Sequence, residues 1–125
     1  HGRMQRDFTY IDDIVEGVLR CCDKPATANP DFDPLQPDPA TAAAPHRVVN
    51  IGNSQPTGLL RFIEVMEQAL GCDAIKDFQP MQPGDVVATA ADTKALEDWV
   101  GFRPSTAIEA GVAQFAEWYR DFYGV

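Results

Sequence analysis

A chain of 125 residues, 45% hydrophobic and 23% charged, is the size of one ordinary domain with a modest core, too short for a two-domain enzyme. No apolar run approaches the ~20 residues that span a bilayer, so a membrane-spanning protein is not expected. Nineteen acidic against ten basic residues give a formal charge of −9, which disfavours nucleic acid and anionic membrane surfaces as partners.

The chain opens on HGRMQRDFTY, structured-looking sequence from the first residue, which reads as a piece of a longer protein. From Ile11 to Cys22, apolar residues recur at three- and four-residue spacing (Ile11, Ile14, Val15, Val18, Leu19, Cys22), predicting an amphipathic helix that stops near Asp23 because Pro25 follows. Asp12 or Asp13 supplies the carboxylate favoured at its N-terminus. Residues 24–46 hold six of the ten prolines and no apolar period, which predicts an exposed loop insertion, extended or disordered. Arg47 to Ile51 is a β-branched strand candidate ending at Gly52. Thr57 then caps a second helix that Gly71 stops. A short strand around Ala74 to Gln79 and extended chain from Val86 to Ala90 come next. Asp92 or Thr93 opens a short helix stopped by Gly101. Thr106 and Glu109 form a capping box for the last helix, whose stripe is Ile108, Val112, Phe115, Trp118, Tyr119 and Phe122.

Reactive constellations are scarce. Neither GxGxxG nor GxxxxGK[ST] occurs, and the only histidines are His1 and His46. The three cysteines, Cys21, Cys22 and Cys72, are odd in number and without metal-ligand spacing, which favours a reducing cytoplasm over a disulfide framework. Trp99, Trp118, Tyr119 and Phe122 are spaced like core. No catalytic residue and no metal ligand is expected. Two segments stand apart. In Arg6-Asp7-Phe8-Thr9-Tyr10, an arginine in strand-like sequence precedes a helix start: it either meets a pyrophosphate or pairs with Asp7 or Asp12. In Met81-Gln82-Pro83-Gly84-Asp85, a tight turn presents Gln82 and Asp85: they either meet sugar hydroxyls or simply build the turn.

RDFTYIDDIVEGV, then RVVNIGNSQPTGLLRFIEVMEQALG, then MQPGDVVATAADTKALEDWVGFRPSTAIEAGVAQFAEWYRDFY resemble the C-terminal portion of NAD-dependent nucleotide-sugar epimerases of the extended short-chain dehydrogenase/reductase group. The members most similar are UDP-glucuronate 4-epimerases of capsular polysaccharide synthesis. The similarity covers nearly the whole chain outside the 24–46 loop, and the three segments are specific only together.

The resemblance implies a small α+β substrate-binding domain, residues 1–125, of about four helices with short strands, without the Rossmann half. It implies that Arg6 contacts the diphosphate of a UDP-sugar substrate and Asp85 its ribose. Gln82 stands where the UDP-galactose enzymes carry a second arginine; it keeps a donor and loses the charge, as in the glucuronate-type QPGDV pattern. Asn50 and Ser54 of NIGNS are given only a turn-building role. The NAD fingerprint and the Tyr-x-x-x-Lys pair of the family are not in this sequence, and Tyr119 has no lysine four residues on. The fragment alone is therefore expected to be inactive: NAD, and the oxidation at C4, rotation and re-reduction that it supports, belong to an N-terminal Rossmann domain. The parent is expected to be a cytoplasmic isomerase, often homodimeric in this family. A nucleotide-sugar 4,6-dehydratase or decarboxylase shares the pattern, and a non-catalytic interaction module is the alternative of another class.

Overall fold

Helices form where apolar spacing predicts them, and glycine ends them. In the computed structural model, which describes residues 2–125, α1 spans Ile11–Asp23, α2 Leu59–Leu70, α3 Lys94–Val100 and α4 Ile108–Tyr123. Strands β1 (Gln5–Arg6) and β2 (Thr57–Gly58) make one antiparallel pair, Gln5 opposite Gly58 and Arg6 opposite Thr57. α2, α3 and α4 stop at Gly71, Gly101 and Gly124, each left-handed, a conformation that costs a side-chain-bearing residue more than glycine. α2 packs chiefly on α4, and α1 on α3.

Helix starts depart from the sequence expectation, because the polar groups meant for them are used over longer range. None of the four helices has a side-chain cap. Thr57, expected to cap α2, lies in β2, and Gly58 takes the cap position. The Thr106–Glu109 capping box does not form. The Thr106 amide that it requires donates to Asp13 Oδ2 at 3.0 Å, while Glu109 reaches Arg61 on α2 at 2.8 Å. Asp13 thus serves the segment before α4, taking the Ser105 amide as well, rather than its own helix.

Neither strand expected at 47–51 nor that at 74–79 forms; only Arg47 makes a single bridge, to Thr41. A strand needs a neighbour to complete its ladder, and here side chains carry the linkage instead. Asn50 Nδ2 donates to the Asp92 carbonyl, and Ser54 Oγ to that of Ala91. Asn50 and Ser54 therefore tie two distant segments together, beyond the turn-building role assigned to them. Between 86 and 90 the expected extended chain is present in part. Gln5 donates to Val87 O at 2.9 Å and accepts from Thr89 N at 3.2 Å, a one-residue parallel bridge on the side of β1 away from β2.

The proline-rich loop is built rather than loose. Asn29, Asp33 and Asp38 each accept the amide two residues on, which makes three successive Asx turns. Its two ends meet at one indole: the Lys24 ammonium lies 4.5 Å and the Arg47 guanidinium 4.0 Å from the Trp99 ring centroid. Trp99 Nε1 also donates to the Lys24 carbonyl. The loop therefore leaves and re-enters the fold at one clamped point.

The buried apolar core is small: Val65, Leu96, Val112 and Ala116. The stripes read as core on α1 and α4 are largely uncovered, with Ile11 60%, Leu19 54%, Trp118 53% and Phe122 67% exposed. On α4 the aromatic rings stack on one another instead, Phe115 on Trp118 and Trp118 on Phe122. The surface totals 8730 Å². A globular monomer of 13.7 kDa exposes about 6,600 Å². The helical periods were right, and the surface that should cover them lies outside this chain's own packing.

One carboxylate joins the segments that do pack. Asp7 Oδ2 accepts the amides of Ser54 at 3.0 Å and Ala91 at 3.1 Å, and Oδ1 that of Gln55 at 3.2 Å. Gly52 is needed beside it, since a Cβ there would collide with Ala91 Cβ and approach Asp7 Oδ2 to 3.0 Å. Removing the carboxylate leaves three amides without their acceptor. Asp7→Ala is expected to lower unfolding stability by about 3 kcal/mol, with Asp7→Asn intermediate, read from urea denaturation midpoints. A shift too small to measure in Asp7→Ala would contradict this linkage.

A weaker link joins α2 to α4. The Arg61 guanidinium holds the Glu109 carboxyl below the usual range, and Lys76 and the Ala74 amide do the same for Glu67. A depressed carboxyl contributes stability above its unfolded pKa and loses it as pH falls through the folded value, so these contributions fade below about pH 4. Glu109→Gln should flatten the acid limb of a Tm–pH curve; an unchanged slope would mean that the pair contributes nothing. The effect is small, as both groups are exposed.

Candidate functional site

Register brings the two sequence candidates together across 79 residues. Because Gln5 is bonded to Val87 and Thr89, the residue after it in β1 lies beside the turn that precedes Val87. Arg6 Nη2 donates to Asp85 Oδ1 at 2.6 Å, and Nη1 to the Gln5 carbonyl at 2.9 Å. Arg6 pairs with neither Asp7 nor Asp12, the partners a purely local reading offered. Asp7 is committed to backbone amides instead.

Asp85 is set by its turn. Its amide donates to the Gln82 carbonyl at 3.1 Å, and Gly84 between them takes φ +87°, open to glycine. The Val86 amide donates to Asp85 Oδ1 at 2.9 Å and so fixes the oxygen that faces Arg6. The two side chains are only partly covered, 27% and 33% exposed, so a ligand can reach both. Two guanidinium nitrogens are engaged, while Nε and the second carboxylate oxygen, Oδ2, have no partner among the described residues. Gln82 contributes its carbonyl to the turn; its side chain is exposed and bonded to neither Arg6 nor Asp85. Arg6 and Asp85 thus form one site, with Gln82 at its rim.

The residues around this pair are scaffold. Phe8 stacks on Phe62 of α2, with centroids 4.2 Å apart. Tyr10 lies against Gly111 of α4, and its hydroxyl donates to Gln114. These rings line an apolar cleft of about 350 Å³ between the start of α1, α2 and α4, and neither Arg6 nor Asp85 lines it. The cleft has no charged wall, so it supports no anion binding. Sequence reasoning missed Asp7, Tyr10 and Asp13 as organisers. The available signal was the density of polar and aromatic residues in RDFTYIDD, of which Arg6, Asp7, Phe8, Tyr10 and Asp13 find different partners. Among the described residues, no cluster of His, Cys, Asp or Glu could hold a metal ion, and no helix is long and apolar enough to cross a membrane.

No protein-family model matches the chain. Protein CapI of Staphylococcus aureus is 45% identical over 123 residues, 98% of this chain and 37% of that protein. A probable UDP-glucuronate 4-epimerase of Rhizobium meliloti is 46% identical over 123 residues, 98% of this chain and 36% of that protein. The chain thus spans little more than a third of these curated relatives. A crystal structure of UDP-glucuronic acid 4-epimerase from Bacillus cereus with UDP-glucuronic acid and NAD matches the fold over 98% of this chain and 34% of that one, with TM-score 0.74 and 24% identity. In sequence the chain is similar to about a third of CapI and of the Rhizobium protein, and it shares the fold of about a third of the Bacillus epimerase.

Proposed function

We propose that this chain is the substrate-binding region of a cytoplasmic NAD-dependent epimerase acting on UDP-glucuronate, and that residues 1–125 are one domain with 24–46 inserted. The observation that carries the site is the Arg6–Asp85 contact at 2.6 Å, made by two motifs 79 residues apart in the sequence. A guanidinium offers the charge and planar donors that a diphosphate takes, and a carboxylate accepts from the vicinal hydroxyls of a ribose. Gln82, at the rim of the same turn, supplies a neutral amide where the galactose enzymes place a second cation. The probable UDP-glucuronate 4-epimerase of Rhizobium, similar over 98% of this chain, favours a hexuronate as the sugar.

The residues here do not fit NAD. Gly71, Gly101 and Gly124 stop helices and Gly84 forms a turn, while Gly58, which opens α2, stands without the glycine-rich turn that a dinucleotide pyrophosphate needs. The chain therefore contributes binding and orientation of the nucleotide, while cofactor and proton transfer lie in the remaining two-thirds of the parent. The exposed apolar faces of α1 and α4 suit such a role, because they offer surface for that remainder to cover.

In the full-length protein, Arg6→Ala should weaken UDP-glucuronate binding by about 2–3 kcal/mol, read by isothermal titration, as a charge-assisted contact requires. Unchanged affinity would leave Arg6 a structural residue. Formation of a 4-keto-6-deoxy sugar from dTDP-glucose would replace the epimerase reading with a dehydratase.

A further inference from the structure

We propose that Asp7 is a positioning residue for the Arg6–Asp85 pair, acting with the Thr89 hydroxyl to fix which residues of 85–91 stand beside β1; this rests on the function proposed above. Gln5 makes the backbone bridge on that edge of β1, donating to Val87 O at 2.9 Å and accepting from Thr89 N at 3.2 Å. A parallel ladder continues two residues on in the same way. Residue 7 would donate to the carbonyl of 89, and its own carbonyl would accept from the amide of 91. Here both donors are the ones the ladder would use, and both acceptors have changed. The Asp7 amide donates to Thr89 Oγ1 at 3.3 Å, and the Ala91 amide donates to Asp7 Oδ2 at 3.1 Å. Two side chains thus complete the rung that the backbone leaves open.

The change of acceptor matters because a backbone bridge does not read sequence. One bridge forms equally well with the partner segment moved by two residues, which keeps each side chain on its face. Such a slip carries Asp85 about 7 Å along β1, far outside its 2.6 Å contact with Arg6. A side-chain rung closes only where a hydroxyl at 89 meets a carboxylate at 7. Two residues either way from Thr89 stand Val87 and Ala91, which carry no side-chain acceptor, so neither slipped register serves the Asp7 amide. The Asp7 carboxylate is itself held by the Ser54 and Gln55 amides. Arg6 therefore sits between two residues, Gln5 and Asp7, each bonded to the segment that follows Asp85.

The test is a double-mutant cycle on UDP affinity, read by isothermal titration in the full-length protein saturated with NAD. Asp7→Ala is expected to weaken UDP binding about tenfold and Thr89→Val about threefold, while Thr89→Ser, which keeps the hydroxyl, stays within roughly twofold of the unsubstituted protein. Neither loss should recur in an Arg6→Ala background, because a residue that acts through Arg6 has nothing left to position there. Thr89→Val leaves the Asp7 carboxylate and its three amide bonds in place, so the cycle decides even where Asp7→Ala does not fold. Losses that repeat undiminished in the Arg6→Ala background, or a Thr89→Ser protein as weak as Thr89→Val, overturn the proposal. Unchanged affinity in Thr89→Val beside a loss in Arg6→Ala also overturns it, and leaves the diphosphate site standing. If Arg6→Ala itself leaves UDP affinity unchanged, the functional reading fails, and the positioning role with it.

Discussion

The Asp7 carboxylate is the contact on which the rest of the arrangement depends. Three backbone amides from two separate segments, 54–55 and 91, converge on its two oxygens. Without a shared acceptor these amides would have to be solvated, and the two loops would have no reason to meet. Their meeting allows the neighbouring residues to act. Arg6 finds Asp85 next to the stretch that Gln5 holds, and Phe8 stacks on α2. Six consecutive residues, 5–10, thereby contact β2, α2, α4 and the segment from 85 to 91.

A positive site in a chain of net charge −9 has to be protected locally. The long-range field repels an anionic ligand, so recognition depends on contacts inside a few ångströms, where screening and distance suppress the remaining charges. Arg6 meets this condition by position and not by number: β1 holds its backbone and Asp85 fixes its direction. The same carboxylate reduces the local positive potential at the guanidinium. The Asx turns and the Trp99 clamp, by contrast, organise the insertion without contacting Arg6 or Asp85.

What the sequence disclosed divides along the range of the interactions. Helix periods and left-handed stops are local, and Ile11–Asp23, Gly71 and Gly101 fall where spacing and glycine placed them. Caps and strands depend on partners elsewhere. The capping box failed because Asp13 and Arg61 outbid the local contacts of Thr106 and Glu109. RVVNI has the composition of a strand, but no neighbouring strand lies alongside it. Arg6 and Asp85 were legible as candidates in their own segments, each beside a structural alternative, and the resemblance of whole segments favoured the binding role; local reading offered Asp7 or Asp12 as a partner, and the contact itself required the Gln5–Val87 register.

The exposed stripes of α1 and α4 turn one misplaced expectation into an argument. A helical period reports that a face is built to be covered, and does not say by what. Leu19 and Trp118 have the spacing of core and the exposure of surface. The chain exposes roughly a third more area than a globular monomer of its mass. An isolated chain pays for that surface in hydration, and neither four buried apolar residues nor the polar staple at Asp7 offsets it. The staple nevertheless ties Asp7, the residue after β1, to residues 54–55 and 91 without help from those faces. The geometry of the Arg6–Asp85 pair is thus intrinsic to this region, while the apolar faces of α1 and α4 have the spacing of covered surface and stay exposed.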